Sequence, residues 1–323
     1  MKVGILGAGN IATSMATAIN GLDDSIELYA VASRDMAKSQ AFADKWGVKV
    51  AYGSYEDMLK DDKVDLVYIA TPHSHHYAHA KLCLDHGKNT LIEKSFTANA
   101  RQAEEILEIA EKKNLLMTEA IWTRYMPSRK LIEDLISSGI IGEVATVFAD
   151  LSYPISHIRR TYDHELAGGA LLDLGVYSIN FASMFLGDKV KKLSGTCTYF
   201  DTGVDSSDSI CIEYEGNILA NLTASFLSPS GRLGMICGSK GYITVTNINN
   251  PEKIEVFDPD HNLIKEALVP SQVNGYEYEV IACQKALSEG RIECNEMPHK
   301  ETIRIMKQMD ELRAMWGIKY PFE

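Results

Sequence analysis

The chain opens Met1-Lys2-Val3-Gly4-Ile5-Leu6-Gly7-Ala8-Gly9-Asn10-Ile11-Ala12, and this stretch decides the fold. Val3–Leu6 is an apolar run of strand length, and Gly7-Ala8-Gly9-Asn10-Ile11-Ala12 follows it at once as G-x-G-x-x-A. The first glycine permits a tight turn, the second lets a pyrophosphate reach the backbone, and the small Ala12 lets helix and strand pack closely. A helix predicted over Ile11–Asn20 aims its free N–H groups and the positive end of its dipole at the phosphates. Alone, the motif is weak and suits a merely structural turn. Its setting after a strand, before a helix, with a second strand about 20 residues on, makes Gly7, Gly9, Asn10 and Ile11 expected dinucleotide contacts.

Outward from this turn, short apolar runs alternate with amphipathic stretches. Val3–Leu6, Ile26–Ala32, Val48–Ala51, Leu66–Ala70, Thr90–Ile92 and Leu115–Thr118 read as strands. Ile11–Asn20, Met36–Trp46, Tyr55–Lys60, His76–His86 and Asn99–Lys113 read as helices. Strands apolar throughout and separated by helices imply a parallel sheet covered on both faces. The pattern changes after about residue 120. Helices are expected at Pro127–Ser138, Ala170–Leu186, Tyr276–Glu289 and Lys300–Trp316, a long strand at Glu143–Ser152, and alternating strands across Val190–Lys265. The expected fold is α/β: a doubly wound Rossmann domain over residues 1–120, then an α+β domain over 121–323 with a large, mostly antiparallel sheet that completes the substrate site and supports oligomerisation. No internal repeat or low-complexity segment interrupts it.

The 323 residues exceed what one core usually serves, and a composition of 46% hydrophobic and 24% charged residues is ordinary for a globular chain. The net charge of −12 argues against nucleic acid and anionic membrane surfaces, which reward clustered Lys and Arg, yet leaves room for an anionic cofactor. No apolar run of about 18 residues is evident and the N-terminus lacks a signal-peptide core, so neither a membrane span nor secretion is expected. Six cysteines, at 83, 197, 211, 237, 283 and 294, form no CxxC pair; the expectation is buried, reduced thiols in a cytoplasmic protein.

The second strand ends Val31-Ala32-Ser33-Arg34, where an NAD enzyme usually carries an acid for the ribose 2′-hydroxyl. Ser33 and Arg34 suit a 2′-phosphate instead, so NADP is the expected cofactor, with NAD possible, and Asp35 is left to cap the next helix. Glu93-Lys94-Ser95 ends the fifth strand, and the carboxyl ends of parallel strands face the ligand crevice. A lysine there can hydrogen-bond a substrate hydroxyl, although in general a lysine at a strand end is more often a surface residue.

Gly7–Ala12, Ala70-Thr71-Pro72-His73, Glu93-Lys94 and Gly168-Gly169-Ala170-Leu171-Leu172-Asp173-Leu174-Gly175 together resemble the glucose–fructose oxidoreductase and inositol dehydrogenase (Gfo/Idh/MocA) family, over essentially the whole chain. Within it, Glu119-Ala120-Ile121-Trp122-Thr123-Arg124-Tyr125-Met126-Pro127 looks like the branch of dimeric dihydrodiol dehydrogenase and NADP-dependent D-xylose dehydrogenase. The resemblance places Thr71, Pro72, His73, His76, Glu93 and Lys94 around the cofactor. It departs from the family at Ser95, where the motif has proline, and at Tyr177, where the broader family has histidine four residues after the aspartate; the branch has tyrosine there. The resemblance therefore implies Tyr177 as proton carrier, supported by Lys94, with Asp173 beside them. Asp173 and Tyr177, four apart on a helix, share a face. A nearby lysine favours a phenolate and draws a tyrosine down from about 10, which suits a base in alcohol oxidation. The alternative for Tyr177 is a packing residue with a bonded hydroxyl.

His73, His75, His76 and His79 invite a metal reading, since His75 and His79 stand four apart, but no carboxylate or cysteine accompanies them at ligand spacing and no metal is expected. Trp122, Arg124 and Tyr125 are candidate substrate contacts, with core packing the alternative for the aromatic pair. His157, Arg159, Arg160 and Tyr162 lie in a loop with no assignable role. The expected function is hydride transfer between a nicotinamide cofactor and a secondary alcohol or lactol of a sugar or cyclic diol. The rivals are a non-catalytic NAD(P)- and sugar-binding regulatory protein, and redox-assisted glycoside cleavage. A homodimer or higher homo-oligomer is expected, with Ile210, Ile212, Leu219, Leu222 and Phe226 as its apolar sheet face.

Overall fold

A computed structural model describes all residues from Met1 to Glu323. In chain order the first elements are β1 (Lys2–Leu6), α1 (Asn10–Asn20), β2 (Glu27–Ala32), α2 (Met36–Trp46), β3 (Val50–Tyr52), α3 (Tyr55–Leu59), β4 (Leu66–Ile69), α4 (His73–Asp85), β5 (Asn89–Glu93), α5 (Ala100–Lys113) and β6 (Met117–Ala120). Their strands pair in parallel in the order β3-β2-β1-β4-β5-β6, a doubly wound sheet whose strand order reverses between β1 and β4. Val3, Ile5 and Leu6 on β1 and Leu66, Val67 and Ile69 on β4 have no exposed surface, as continuous apolar strands under two helical layers require.

The remaining elements are α6 (Pro127–Ser137), β7 (Val144–Ser152), α7 (Arg159–Tyr162), a π-helical turn (Leu171–Gly175) running into α8 (Val176–Leu186), β8 (Val190–Tyr199), β9 (Asp205–Tyr214), β10 (Ile218–Ser225), β11 (Leu233–Gly238), β12 (Gly241–Thr246), β13 (Lys253–Phe257), β14 (Leu263–Ala267), α9 (Glu277–Ser288) and α10 (His299–Trp316). The second sheet has the order β14-β13-β12-β11-β7-β10-β9-β8 and is antiparallel except for the β7–β10 pair. Ile210, Ile212, Leu222 and Phe226 are buried on its covered side, where α8 packs.

The chain divides into two compact units, Met1–Tyr125 with Gln272–Met306, and Met126–Ser271 with Lys307–Glu323. They are not two consecutive pieces: after the second sheet the chain returns to the nucleotide unit. There the Asn274 side-chain amide donates to the Ser14 carbonyl at 2.9 Å, Gln284 donates to the Ser25 carbonyl at 3.0 Å, and the Met117 N–H donates to the Ile292 carbonyl at 3.0 Å. Hydrogen bonds of such sequence separation leave no trace in local periodicity.

Three expectations need correction. Residues His164–Leu186, interrupted at Ala167–Gly169, make a 23-residue stretch long and apolar enough to span a membrane by length and composition, where no such stretch was expected. In its most apolar 18-residue window 83% of the residues are buried within the protein, so its apolar surface goes to core packing. The five residues proposed as one apolar sheet face belong to two: Leu219 pairs with Glu213 on the open side, 43% exposed, while Ile210, Ile212, Leu222 and Phe226 lie beneath. Cys83, Cys283 and Cys294 are buried as expected, but Cys197, Cys211 and Cys237 are only partly so, since alternation along their strands turns them from the core.

Candidate active site

The glycine turn sits where the strand order reverses. Gly7 has φ +106, and a Cβ there would stand 2.9 Å from the Ala70 carbonyl oxygen, so the ends of β1 and β4 approach too closely for any side chain. At Gly9 a Cβ would meet nothing within 4 Å, which leaves open space above the start of α1. That helix has no side-chain cap and no acidic residue in its first turn, and Asn10 and Ile11 open it with exposed and half-buried side chains. An anionic pyrophosphate would supply the capping that the sequence omits, so these residues fit a dinucleotide.

Arg34 leaves β2 exposed and forms no ion pair; its charge helps to depress the imidazole pKa values of His75 and His79. Burial is the larger cause and brings His79 to about 4. Buried Ser33 accepts the Asp35 N–H, while the Asp35 carboxylate accepts the N–H groups of Ala37 and Lys38 as the cap of α2. The acid nearest the end of β2 is thus committed to a helix.

Lys94 follows β5 at its carboxyl end, half-buried, and the Lys94–Ser95 peptide bond is cis. The turn it opens is held from several sides. His73 Nε2 donates to the Lys94 carbonyl at 3.1 Å. The His76 ring stands between the Ser95 carbonyl, 2.9 Å from Nδ1, and the Thr71 carbonyl, 2.7 Å from Nε2. His76 has no exposed surface, and burial draws it down to about 4. It joins the turns after β4 and β5 from beneath, with both ring nitrogens against backbone carbonyls. Half-buried Thr71, also bonded to His79 Nδ1 at 3.0 Å, and exposed Pro72 lead into α4, which has no side-chain cap. His75 lies against Ser74 Oγ at 2.8 Å and edge-on to His79.

Buried carboxyl groups lie behind the same turn. Tyr68 donates a short hydrogen bond to Glu93. Glu119, on β6, accepts the Phe96 N–H at 3.1 Å and is 1% exposed; burial raises it to about 7 against the pull of Phe96 and Arg124. Glu279 is wholly buried with neither oxygen hydrogen-bonded, and burial together with the Glu93 charge holds it well above the usual carboxylate range. The sequence reading gave no role to Glu119 or Glu279; for Glu119 the available signal was an acid within a short run that reads as a buried strand, Leu116-Met117-Thr118-Glu119-Ala120.

Trp122, Arg124 and Tyr125 are buried. The Trp122 ring stacks on Tyr276 at 4.2 Å, Arg124 pairs with Glu301, and the Tyr125 hydroxyl donates to the Glu119 carbonyl at 2.8 Å. These are the partners the structure gives the three residues expected to contact substrate.

In the other unit, Asp173 lies within the π-helical turn and Tyr177 is the second residue of α8; they are 6% and 8% exposed. π-Helical turns inside helices recur at functional sites. Arg160 reaches Asp173 as an ion pair and Arg159 pairs with Asp163 at 2.7 Å, which gives both arginines of the unassigned loop a place. His157 is exposed, and the Tyr162 ring lies 6.2 Å from that of Phe200.

A glycine cradle at the strand reversal, with a lysine leaving a neighbouring strand end, defines an NAD(P)-dependent oxidoreductase. Residues 1–120 match the Gfo/Idh/MocA family described as an oxidoreductase family with an NAD-binding Rossmann fold, and residues 130–244 match the GFO/IDH/MocA C-terminal domain. The chain is 31% identical over 334 residues to mouse trans-1,2-dihydrobenzene-1,2-diol dehydrogenase, covering 99% of this chain and 98% of that protein. It is 33% identical to the Xenopus laevis enzyme of the same name, covering 99% of each. Among solved structures, a 3-ketoreductase from Actinomadura kijaniata in complex with NADP and TDP-benzene superposes with a TM-score of 0.87 at 24% identity, over 97% of both chains. An aldose-aldose oxidoreductase from Caulobacter crescentus superposes with a TM-score of 0.88 at 18% identity, over 98% of this chain and 97% of the other. The chain belongs to the Gfo/Idh/MocA family, in the branch of the dihydrodiol dehydrogenases, and is an enzyme that acts on CH–OH groups.

Proposed function

We propose that this enzyme transfers hydride between NADP(H) and a secondary alcohol or lactol of a sugar or cyclic diol. The observation that carries the reading is Lys94 at the carboxyl end of β5, in the sheet whose strand reversal forms the glycine cradle. Gly7, Gly9, Asn10 and Ile11 would hold the pyrophosphate, Ser33 and Arg34 the 2′-phosphate, and Thr71, Pro72, His73 and Glu93 the surroundings of the nicotinamide. The bound nicotinamide supplies the hydride chemistry. Lys94 orients the reacting oxygen and stabilises negative charge on it. Tyr177 takes the hydroxyl proton in oxidation and returns it in reduction, with Asp173 and its Arg160 partner fixing that part of the chain. The preference for NADP is supported by the unpaired Arg34 and by the commitment of Asp35 to α2.

The names of the relatives suggest the substrates to try. NADPH fluorescence with NADP⁺ and a panel of aldoses, polyols and trans-1,2-dihydrobenzene-1,2-diol tests the proposal; NADPH formation with at least one of them is expected, and none with any would refute it. A homodimer goes with this reading, formed through the open face of the second sheet, where Phe148, Leu219 and Leu233 are 44%, 43% and 48% exposed. A cytoplasmic location suits six thiols with no disulfide partner.

A further inference from the structure

The second unit holds two buried acids that the proposed chemistry does not use. Asp205 is wholly buried and Asp208 is 4% exposed, at the start of β9. The pairing of β8 with β9 slips between Thr198 and Tyr199, so that Tyr199 faces Asp205 and Thr198 faces Ser207. This irregularity lets two residues three apart both turn inward. Asp205 accepts the N–H of Leu171, the first residue of the π-helical turn, and a Cβ on Gly169 would run into its carboxylate. At the other end of the turn, a Cβ on Gly175 would stand 3.5 Å from Asp208 Oδ2.

Asp205 Oδ1 and both Asp208 oxygens receive no hydrogen bond from elsewhere in the protein. Two adjacent buried carboxylates cannot both stay ionised at low cost, and one shared proton gives the pair the donor it lacks. Burial raises both groups, Asp208 more strongly under the Asp205 charge. The titratable groups facing the pair are Arg313 of α10, Tyr320 near the C-terminus, and Cys197 and Tyr199 of β8. Arg313 favours an ionised Asp205 but is itself paired with Asp310 and Glu323.

We propose that Asp205 and Asp208, sharing one proton, are positioning residues that hold the two ends of the π-helical turn and thereby set the place of Tyr177; the functional part of this rests on Tyr177 carrying the proton. Loss of the shared proton at alkaline pH leaves two like charges against the turn and loosens it. In Asp208→Asn the side-chain amide donates to Asp205 and cannot titrate, so the brace is kept. In Asp208→Leu it is lost at every pH.

Amide hydrogen exchange over residues 169–178, corrected for intrinsic rates, reads the brace without any substrate. The native protein is expected to lose about tenfold in protection between neutral and alkaline pH, Asp208→Asn to lose none, and Asp208→Leu to be unprotected throughout. On the substrate oxidised fastest, Asp208→Leu should lower kcat by about 10²-fold with NADP affinity unchanged, the scale of a catalytic group displaced by roughly an ångström. Native kcat should fall at alkaline pH as the turn loosens, and Asp208→Asn should match native kcat at neutral pH without that fall. Flat protection in the native protein, or the same alkaline loss in Asp208→Asn, overturns the proposal, and the asparagine variant decides this even if the leucine variant does not fold. A Tyr177→Phe enzyme of native kcat would instead overturn the role of Tyr177 and leave the brace standing.

Discussion

Replacement of Glu119 by glutamine separates the cost of a buried charge from its architecture. Glutamine keeps the oxygen that accepts the Phe96 N–H and cannot ionise. Burial raises the Glu119 carboxyl from 4.5 to about 7. The gap of about 2.5 units corresponds to about 3 kcal/mol at 1.36 kcal/mol per unit. A carboxyl raised in the folded state contributes stability that is fully present below its unfolded value. That contribution falls as pH rises from about 4.5 and is gone above about 7. The native protein should therefore lose stability across this window through Glu119, and Glu119→Gln should not. Thermal melts of the cofactor-free protein should give similar Tm values at pH 4.5 and a variant several degrees more stable at pH 8. Glu279 and other buried acids add their own slope to both proteins, so the difference between the two curves isolates Glu119. Parallel curves from pH 4.5 to 8 would refute the reasoning. Native kcat is expected in the variant, because the Lys94 turn keeps its hydrogen bond.

Arg34→Ala should weaken NADP binding by about 1.5–3 kcal/mol, the scale of a hydrogen bond to a charged group, and leave NAD binding nearly unchanged; the ratio of the two dissociation constants reads it, and an unchanged ratio counts against a 2′-phosphate site at Arg34. Gly7→Ala should cost about 1–3 kcal/mol in denaturant unfolding, because it forces a side chain to positive φ and into the Ala70 carbonyl; a stability within a few tenths of native would contradict the cradle geometry. Light scattering should give twice the chain mass of 35.8 kDa, and Phe148→Glu should return the single mass; a monomeric native protein would exclude the open sheet face as an interface.

The nucleotide-binding fold was legible because each signal is local. Glycines at 7 and 9, apolar strands between amphipathic helices, and a small Ala12 specify β1, the turn and α1 within about ten residues. The second sheet was legible as strands but not as faces. Ile210 and Ile212 alternate as clearly as Leu219 does, yet the register of β9 on β10 places Leu219 opposite Glu213, on the open side, and Leu222 opposite Ile210. Register depends on turns and partners beyond the strand itself. The place of Lys94 at a strand end was legible, because it follows from the parallel sheet. The internal partners of His76, Trp122 and Arg124 were not legible, since Ser95, Tyr276 and Glu301 are brought to them by tertiary contact alone. Asp205 and Asp208 gave no sign in a polar run, Asp205-Ser206-Ser207-Asp208, that reads as exposed strand.

The most direct test of the account is steady-state oxidation by the native enzyme, Tyr177→Phe, Lys94→Met and the double variant, with NADPH affinity measured in parallel. Positioned general-base assistance is worth about 10²–10⁴ in rate, so each single variant should lose kcat by about that factor while binding NADPH nearly as the native enzyme does. The double variant should lose far less than the product of the single losses, since groups that act together are not additive. A Tyr177→Phe enzyme with near-native kcat would contradict the account and move the proton to Lys94 or His73.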